Sequence, residues 1–505
     1  VRIDARFRFP PEPLKQPEPP VSPLQTLLDN LVRPIQAFRP HYLPVVMVYF
    51  AYGALGLIDV TRDMWVKERL TLNPAELAGI GVWLTLPWTI KMVFGQLVDS
   101  VPLFGSQRKS YIALGAAFTA AGMIILAGAA GDWLAFLPLE QLYVLGAVSI
   151  VIGTVIQDVV ADAMSTEVVP RIDAAGAARA EDEIKAELGM VQVLGRLALS
   201  GGILAVAGLS GWLATIFDRE TVFLLGLIVP AVSLSSVFLV QETGERRPLD
   251  WRILGSGLVF GAMVVALAVG GVPYGQELIF VLSMTVICVM LVWVTRDIDH
   301  KSRMAIFYTT IIIFAFRATP AVGDGYFWWT LDILKFDEAF YGTLRQTGAF
   351  LGIAVLWMFS KQITEYPVKW TLFWLAVLGT LLALPNVGLY YGLAEWTEAH
   401  LGFGARTIAM IDAATASPFA QLSMVPLLTL IAYYAPAGRR ATWFALMASL
   451  MNLALVAGQL QTKYLNQWFA VGRGEYGELG LLLMVVLALG FAIPIGAILL
   501  FGRRI

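Results

Sequence analysis

The stretches DVTRDMWVKERLTLNPA (residues 59–75) and DGYFWWTLDILKFDEA (residues 324–339) read as two copies of one unit. Asp59, Trp65, Leu70, Leu72, Asn73 and Ala75 in the first answer to Asp324, Trp329, Leu334, Phe336, Asp337 and Ala339 in the second. The offset is about 264 residues, with one residue of slack before the tryptophan. Both copies continue apolar runs and carry acids into them. Internal duplication with acids inside apolar helices implies a secondary transporter, because such charges persist only where they line a polar path.

Composition agrees with a polytopic membrane protein. Hydrophobic residues make up 58% of the 505, charged residues 14%, and mean hydropathy is +0.72. A soluble chain of this length would carry roughly a quarter of its residues charged. The net charge of −2 says little, and no nucleic-acid partner is expected. One cysteine, Cys288, excludes an intrachain disulfide and reads as a small core residue. His41, His300 and His400 are too far apart to suggest a metal site, and no nucleophile–base set or nucleotide loop stands out. Neither an enzyme nor a cofactor is expected.

The first forty residues hold Arg2, Arg6, Arg8 and Lys15 among many prolines and no apolar core, so they read as an extended cytoplasmic tail and not as a signal peptide. The chain begins at Val1, from which N-terminal trimming is expected. Leu24, Leu27, Leu28, Leu31, Val32 and Ile35 recur at helical spacing, predicting an amphipathic helix on the membrane surface within residues 1–40.

Apolar runs of about 20 residues each fall near 41–62, 77–98, 110–130, 138–163, 186–208, 219–240, 252–271, 276–294, 304–332, 339–360, 369–393, 404–434, 441–462 and 478–501. The reading is an all-α protein of about fourteen helices arranged as six, two and six. Residues 41–240 form an N-terminal six-helix bundle, 241–302 a cytoplasmic linker with an extra transmembrane hairpin, and 303–505 a C-terminal six-helix bundle. With both termini in the cytoplasm, Lys and Arg in the inner segments outnumber those in the outer loops roughly threefold. Arg246, Arg247, Arg252, Arg296, Lys301, Arg303, Arg439, Arg440, Arg503 and Arg504 then share one side. The expected location is the cytoplasmic (inner) membrane.

Charges within the spans are the candidate site. Span two ends Gly95-Gln96-Leu97-Val98-Asp99 and the loop runs on to Arg108 and Lys109. This resembles the signature loop of the major facilitator superfamily, with the basic cluster displaced by Val101-Pro102-Leu103-Phe104. Gly95, Asp99, Arg108 and Lys109 are read as a cytoplasmic latch, the glycine allowing close helix approach; an ordinary helix end is the plainer alternative. Asp158 and Asp162 lie one helical turn apart on one face, where mutual repulsion favours proton binding, while Glu167 is placed in the loop. Lys91, Arg196 and Arg317 sit near mid-span, Arg345 and Arg406 nearer the outer ends. Such cations need an acid or an anionic ligand, and Asp59, Asp324 and Asp412 are available; Arg62 and Asp63 close the outer end of span one. Trp83, Trp88, Tyr326, Phe327, Trp328 and Trp329 offer either stacking surfaces or an interfacial belt.

Three segments resemble the folate–biopterin transporter (BT1-like) family of the major facilitator superfamily. One is Pro87-Trp88-Thr89-Ile90-Lys91 through Gly95, Asp99 and Pro102 to Arg108-Lys109-Ser110-Tyr111. Another is Asp158-Val159-Val160-Ala161-Asp162-Ala163 with Glu167. The last runs from Pro426-Leu427 through Ala435-Pro436-Ala437-Gly438, Ala441-Thr442 and Phe444-Ala445-Leu446 to Ser449 and Asn452. The chain departs from the family at Arg440, where an acid is common, and in its two extra central spans. The resemblance implies uptake of folates or pterins driven by protons. In that reading Lys91, Arg196 and Arg317 would neutralise carboxylates, Asp158 or Asp59 would accept from the aminopyrimidine edge, and Trp88 or Tyr326 would stack on the ring. Proton coupling would fall to Asp59, Asp158, Asp162, Asp324 and Asp412. The rival readings are a facilitator of another anionic or amphipathic solute, and a non-transporting assembly factor that binds a protein partner through the surface helix or extra hairpin.

Overall fold

Inside a bilayer the backbone has no water to bond, so an apolar run folds into a helix that satisfies its own N–H and C=O groups. The computed structural model describes residues 36–172, 176–241, 251–270, 272–296, 298–365, 368–433 and 440–502. Two compact units divide the chain, Val1–Arg39 and Pro40–Ile505. The expected tail and most of the surface helix lie outside the described residues, and the second unit carries the site.

The first half of that unit begins with α1 (Leu43–Ala54), which passes through a 3₁₀ turn into α2 (Asp59–Arg69). It continues with α3 (Pro74–Thr89), α4 (Lys91–Ser100), α5 (Lys109–Ala130), α6 (Leu139–Glu167), α7 (Glu181–Ile216), α8 (Arg219–Leu225) and α9 (Ile228–Ser235). Next come α10 (Trp251–Val269) and α11 (Gly275–Val294). The second half holds α12 (His300–Arg317), α13 (Asp324–Asp332), α14 (Glu338–Glu365), α15 (Val368–Tyr390), α16 (Leu393–Leu401), α17 (Ala405–Tyr433), α18 (Arg440–Trp468) and α19 (Leu479–Phe501). Among the described residues eight helices are long and apolar enough to cross a membrane, and nine with the pair Pro74–Thr89 and Val93–Ser100, bent by 41°. The other expected spans are largely helical where described, 304–332 being broken over 318–323, but apolarity alone does not establish fourteen crossings.

The duplicated stretches do the same work twice. Asn73 Oδ1 accepts from the Glu76 N–H at 2.9 Å to open α3, and Asp337 Oδ1 accepts from the Phe340 N–H at 2.8 Å to open α14. Trp65 and Trp329 are both buried. Burial of Trp328 as well removes both roles expected of that pair, since neither ring forms an interfacial belt or an open stacking surface.

Breaks in two helices position the site. Pro87 cannot donate a backbone bond, and the chain turns between α3 and α4 at Ile90. Carbonyls loosened there find side chains: Thr89 Oγ1 donates to Leu86 O at 2.7 Å and Asn452 Nδ2 to Trp88 O at 3.2 Å. The gap between α12 and α13 is served by α18 in the same way. Gln461 donates to Ala318 O at 2.5 Å, Asn466 to Val322 O at 2.9 Å, and Thr462 Oγ1 accepts from the Ala321 N–H at 2.9 Å. Buried polar backbone is thereby satisfied without water.

The halves meet along two seams, α3 against α18 and α7 against α14. At the second, Gly211 and Gly342 face each other so closely that a Cβ on Gly342 would lie 2.9 Å from the Gly208 carbonyl and the Gly211 Cα. Gln346 Oε1 accepts from the Gly208 N–H beside them at 2.8 Å. Close approach was expected at Gly95, yet a Cβ there would meet nothing nearer than Val159 Cγ1 at 4.0 Å. Small residues govern contact where backbones cross, and Gly95 faces a side chain instead. Cys288 is exposed on α11 rather than buried in the core.

Candidate functional site

One stripe of α1 and α2 organises the site: Tyr49, Tyr52, Asp59, Arg62 and Asp63, spaced to share a helical face. A cavity of about 410 Å³ lies along it, bordered by Tyr52, Asp59, Arg62, Asp63, Trp88, Tyr143, Thr154 and Asp324 among others. A second cavity of about 570 Å³, lined by Phe280, Leu460, Leu489 and neighbours, carries none of the charged candidates.

At one end of the charged cavity the Tyr52 and Trp88 rings stack at 5.8 Å and 24°. Beyond them Lys91 starts α4 at the helix break and pairs with Asp158 and, at 2.6 Å, with Asp162. Tyr49 Oη donates to the other Asp162 oxygen at 2.5 Å. Arg196 on α7 is exposed and acts electrostatically on Asp158 and Tyr49 without an ion pair among the described residues. The repulsion expected between Asp158 and Asp162 is thus met by a cation set between them.

At the other end Arg62 pairs with Asp59 at 3.0 Å and Asp63 at 2.9 Å. Arg345 reaches across from α14 with one nitrogen on Asp59 at 2.9 Å and another on Asp63 at 2.8 Å. These four charges balance one another. Asp324, from the second half, adds a carboxylate to the same cavity wall and makes no ion pair among the described residues.

The sequence matches the BT1 family over residues 53–505. The chain belongs to that family. This BT1-family chain is 27% identical over 473 residues to a folate-biopterin transporter of Synechocystis sp. (strain ATCC 27184 / PCC 6803 / Kazusa), covering 92% of itself and 82% of that protein. It is 19% identical over 441 residues to folate transporter 1 of Plasmodium falciparum (isolate 3D7), covering 87% and 74%. A crystal structure of a POT family transporter in complex with a thioalcohol conjugated peptide superposes with a TM-score of 0.63 at 14% identity, covering 92% of this chain and 96% of that one. The fold is therefore that of the major facilitator superfamily, and the protein is an integral membrane transporter of a small molecule, not an enzyme.

Several expected pairings in this BT1-family transporter turn out differently. Lys91 bonds Asp158 and Asp162 and not Asp59 or Asp324, because the bend at Ile90 turns it towards α6. Arg62 and Asp63 do not close the first span. That span runs on as a helix from Pro40 to Arg69, and their internal pairing lets them line the cavity instead. Glu167 is the last residue of α6 rather than a loop residue.

Arg317 ends α12 and does not border the charged cavity. Tyr326 also lies off its wall, donating to Asn386 Oδ1 at 2.9 Å and stacking on Trp329 at 5.7 Å. Asn386 in turn donates to Asp412 at 3.2 Å, so Asp412 belongs to a separate polar chain in the second half. Arg406 bonds Asp337 at 2.6 Å in the loop before α14.

Among the latch candidates, Arg108 is buried and contacts Asp99 at 3.0 Å, Glu167 at 2.5 Å and Val98 O at 3.0 Å. Lys109 is the first residue of α5. Sequence reasoning missed Tyr49 and Tyr52, although their spacing from Asp59 along one helical face carried the signal.

Proposed function

We propose that this BT1-family transporter carries folate- or pterin-type anions by alternating access, coupled to protons. The observation that carries the reading is the cavity of about 410 Å³ with the Tyr52–Trp88 stack at one end and the Asp59, Arg62, Asp63 and Asp324 set at the other. A flat heterocycle with ring N–H donors and a carboxylate tail has complementary chemistry: aromatic surface, acceptor acids and cations within one polar path. The folate-transporting relatives support the same solute class.

In this reading Trp88 and Tyr52 hold the ring, Lys91 and Arg196 neutralise carboxylate, and Asp158 accepts from the aminopyrimidine edge. Asp59, Asp162 and Asp324 exchange protons as Arg62 and Arg345 change partners. Asp99 and Arg108, with Glu167, act as a latch between states. Both termini face the cytoplasm of the inner membrane, consistent with the excess of basic residues on that side.

Uptake of labelled folate into proteoliposomes, with and without an imposed pH gradient, tests the proposal. Wild type should accumulate folate more strongly with the gradient, and Asp324→Asn should lose that response. Absence of uptake of folate and of simple pterins rejects the solute class; uptake indifferent to the gradient rejects the coupling.

A further inference from the structure

Among the described residues the two inserted helices α10 and α11 do not border the charged cavity, yet the first turn of α11 reaches both halves. Gln276 Nε2 donates to Gly79 O of α3 at 3.0 Å. Gln276 Oε1 accepts from Lys463 Nζ of α18 at 2.8 Å. Glu277 Oε1 accepts from the same Lys463 Nζ at 2.8 Å and from Tyr464 Oη at 2.7 Å. One turn of helix therefore grips α3 on one side and α18 on the other, across one of the two seams that join the halves.

We propose that Gln276 and Glu277 are positioning residues for the transport cycle, a staple that holds the α3–α18 seam closed at the end of the molecule where α11 begins. The proposal does not depend on which solute is carried.

The two grips differ in strength. On α18 a carboxylate takes an ammonium and a phenol, both bonds to an ionised group. On α3 a neutral amide makes one bond to a backbone carbonyl. When the halves part at that end the weaker grip breaks first, and α11 travels with α18. An ordinary neutral hydrogen bond of that kind shifts a two-state equilibrium about fivefold. The other oxygen, Glu277 Oε2, is buried without a hydrogen-bond partner, a cost tolerated only where the residue is otherwise well held.

The fit at Gly79 gives an independent handle. A Cβ on Gly79 would lie 2.9 Å from Gln276 Nε2, the far end of a flexible side chain. Gly79→Ala thus pushes the amide off its carbonyl while leaving the sequence of the inserted hairpin unchanged.

The test measures the distance between halves by electron–electron resonance, with spin labels at Gln141 and Glu398 in a Cys288→Ala background. Gln276→Ala, Gly79→Ala and Glu277→Gln should each raise the open population at that end, the first two about fivefold. Glu277→Asp should recover part of the closed population. Gly79→Ala combined with Gln276→Ala should open no further than Gln276→Ala alone, since the bond from α11 to α3 that Gly79→Ala displaces is already gone in Gln276→Ala. Unchanged distances in Gln276→Ala and Gly79→Ala, with wild-type melting temperatures, overturn the proposal. If Glu277→Gln fails to fold, the two neutral variants still decide the matter.

Discussion

Lys91 stands between two carboxylates, and that ratio decides what its removal does. Asp158 has a side chain 11% exposed while that of Asp162 is 49% exposed, so the burden of losing the cation falls on Asp158. Stranding a buried charge costs about 3 kcal/mol. Lys91→Met is therefore expected to lower the melting temperature of the purified protein and to abolish uptake. Adding Asp158→Asn should restore most of the stability, because the stranded charge is gone, but none of the uptake. A Lys91→Met protein melting like wild type would mean that water already satisfies Asp158. Arg345 is a different case. Its fork sets one nitrogen on Asp59 and another on Asp63, a geometry that a lysine cannot reproduce with one point charge.

At the level of the helix, the duplicated caps differ in one chemical respect. Asn73 does not titrate and Asp337 does. Partial burial works against ionisation of Asp337, but the bonds from Arg406 and the Phe340 N–H outweigh it and hold the group below the usual carboxylate range. A depressed folded value means that the stabilisation is full above the ordinary carboxylate pKa of about 3.9 and fades as pH falls through the lower folded value. Hydrogen exchange, corrected for its intrinsic pH dependence, should show the Phe340 N–H losing protection in acid while the Glu76 N–H, bonded to the Asn73 amide oxygen, keeps it; the reciprocal bond from the Asn73 N–H to the Glu76 carboxylate is outside that comparison. Equal loosening at both ends would show that the cap bond contributes nothing to α14. The caps also show how much could be read in advance. Asn73 and Asp337 stood out in the aligned repeats, and the expected spans are largely helical where described, except for the break over 318–323 inside the span 304–332, because hydropathy and local periodicity are carried by neighbouring residues. The pairing of charges was not legible. Arg345 meets Asp59 from another half of the chain, and Lys91 turns to Asp158 through a bend that Pro87 hinted at without giving its direction. Arg317 looked equivalent to Lys91 by depth, and Tyr326 to Trp88 as an aromatic beside charges, and neither signal says which way a helix face points.

Across the whole molecule, one end is sealed by contacts that join the two halves, braced by Tyr476–Asp332 and Arg473–Trp328 within the second. Lys67 pairs with Asp332, whose other oxygen accepts from Tyr476, and Arg219 bridges Glu68 at 2.6 Å and Glu338 at 3.0 Å. Arg473 lies over the Trp328 ring at 4.5 Å and donates to Val66 O at 3.0 Å, Leu72 O at 3.3 Å and Lys67 O. Lys67 O is left over where α2 ends, while Val66 O also takes the Leu70 N–H at 3.2 Å and Leu72 O lies just beyond the helix, so a cation from the second half completes a helix terminus in the first. The alternating access proposed above requires that terminus to be released. Ion pairs this exposed contribute about 1 kcal/mol at most, whereas Arg473 combines three acceptors with a ring face and should dominate the seal. Arg473→Ala is therefore expected to raise the labelling rate of a cysteine placed at Ile80 on the cavity wall, in a Cys288→Ala background, by more than Lys67→Ala does. An impermeant maleimide applied to sealed vesicles of either orientation reads that rate from one side at a time. Faster labelling from the sealed side alone identifies Arg473 as the restraint on opening. An unchanged rate would move the restraint to the Gln276–Glu277 staple or to the Gly211–Gly342 crossing, where backbone packing resists separation without any charge.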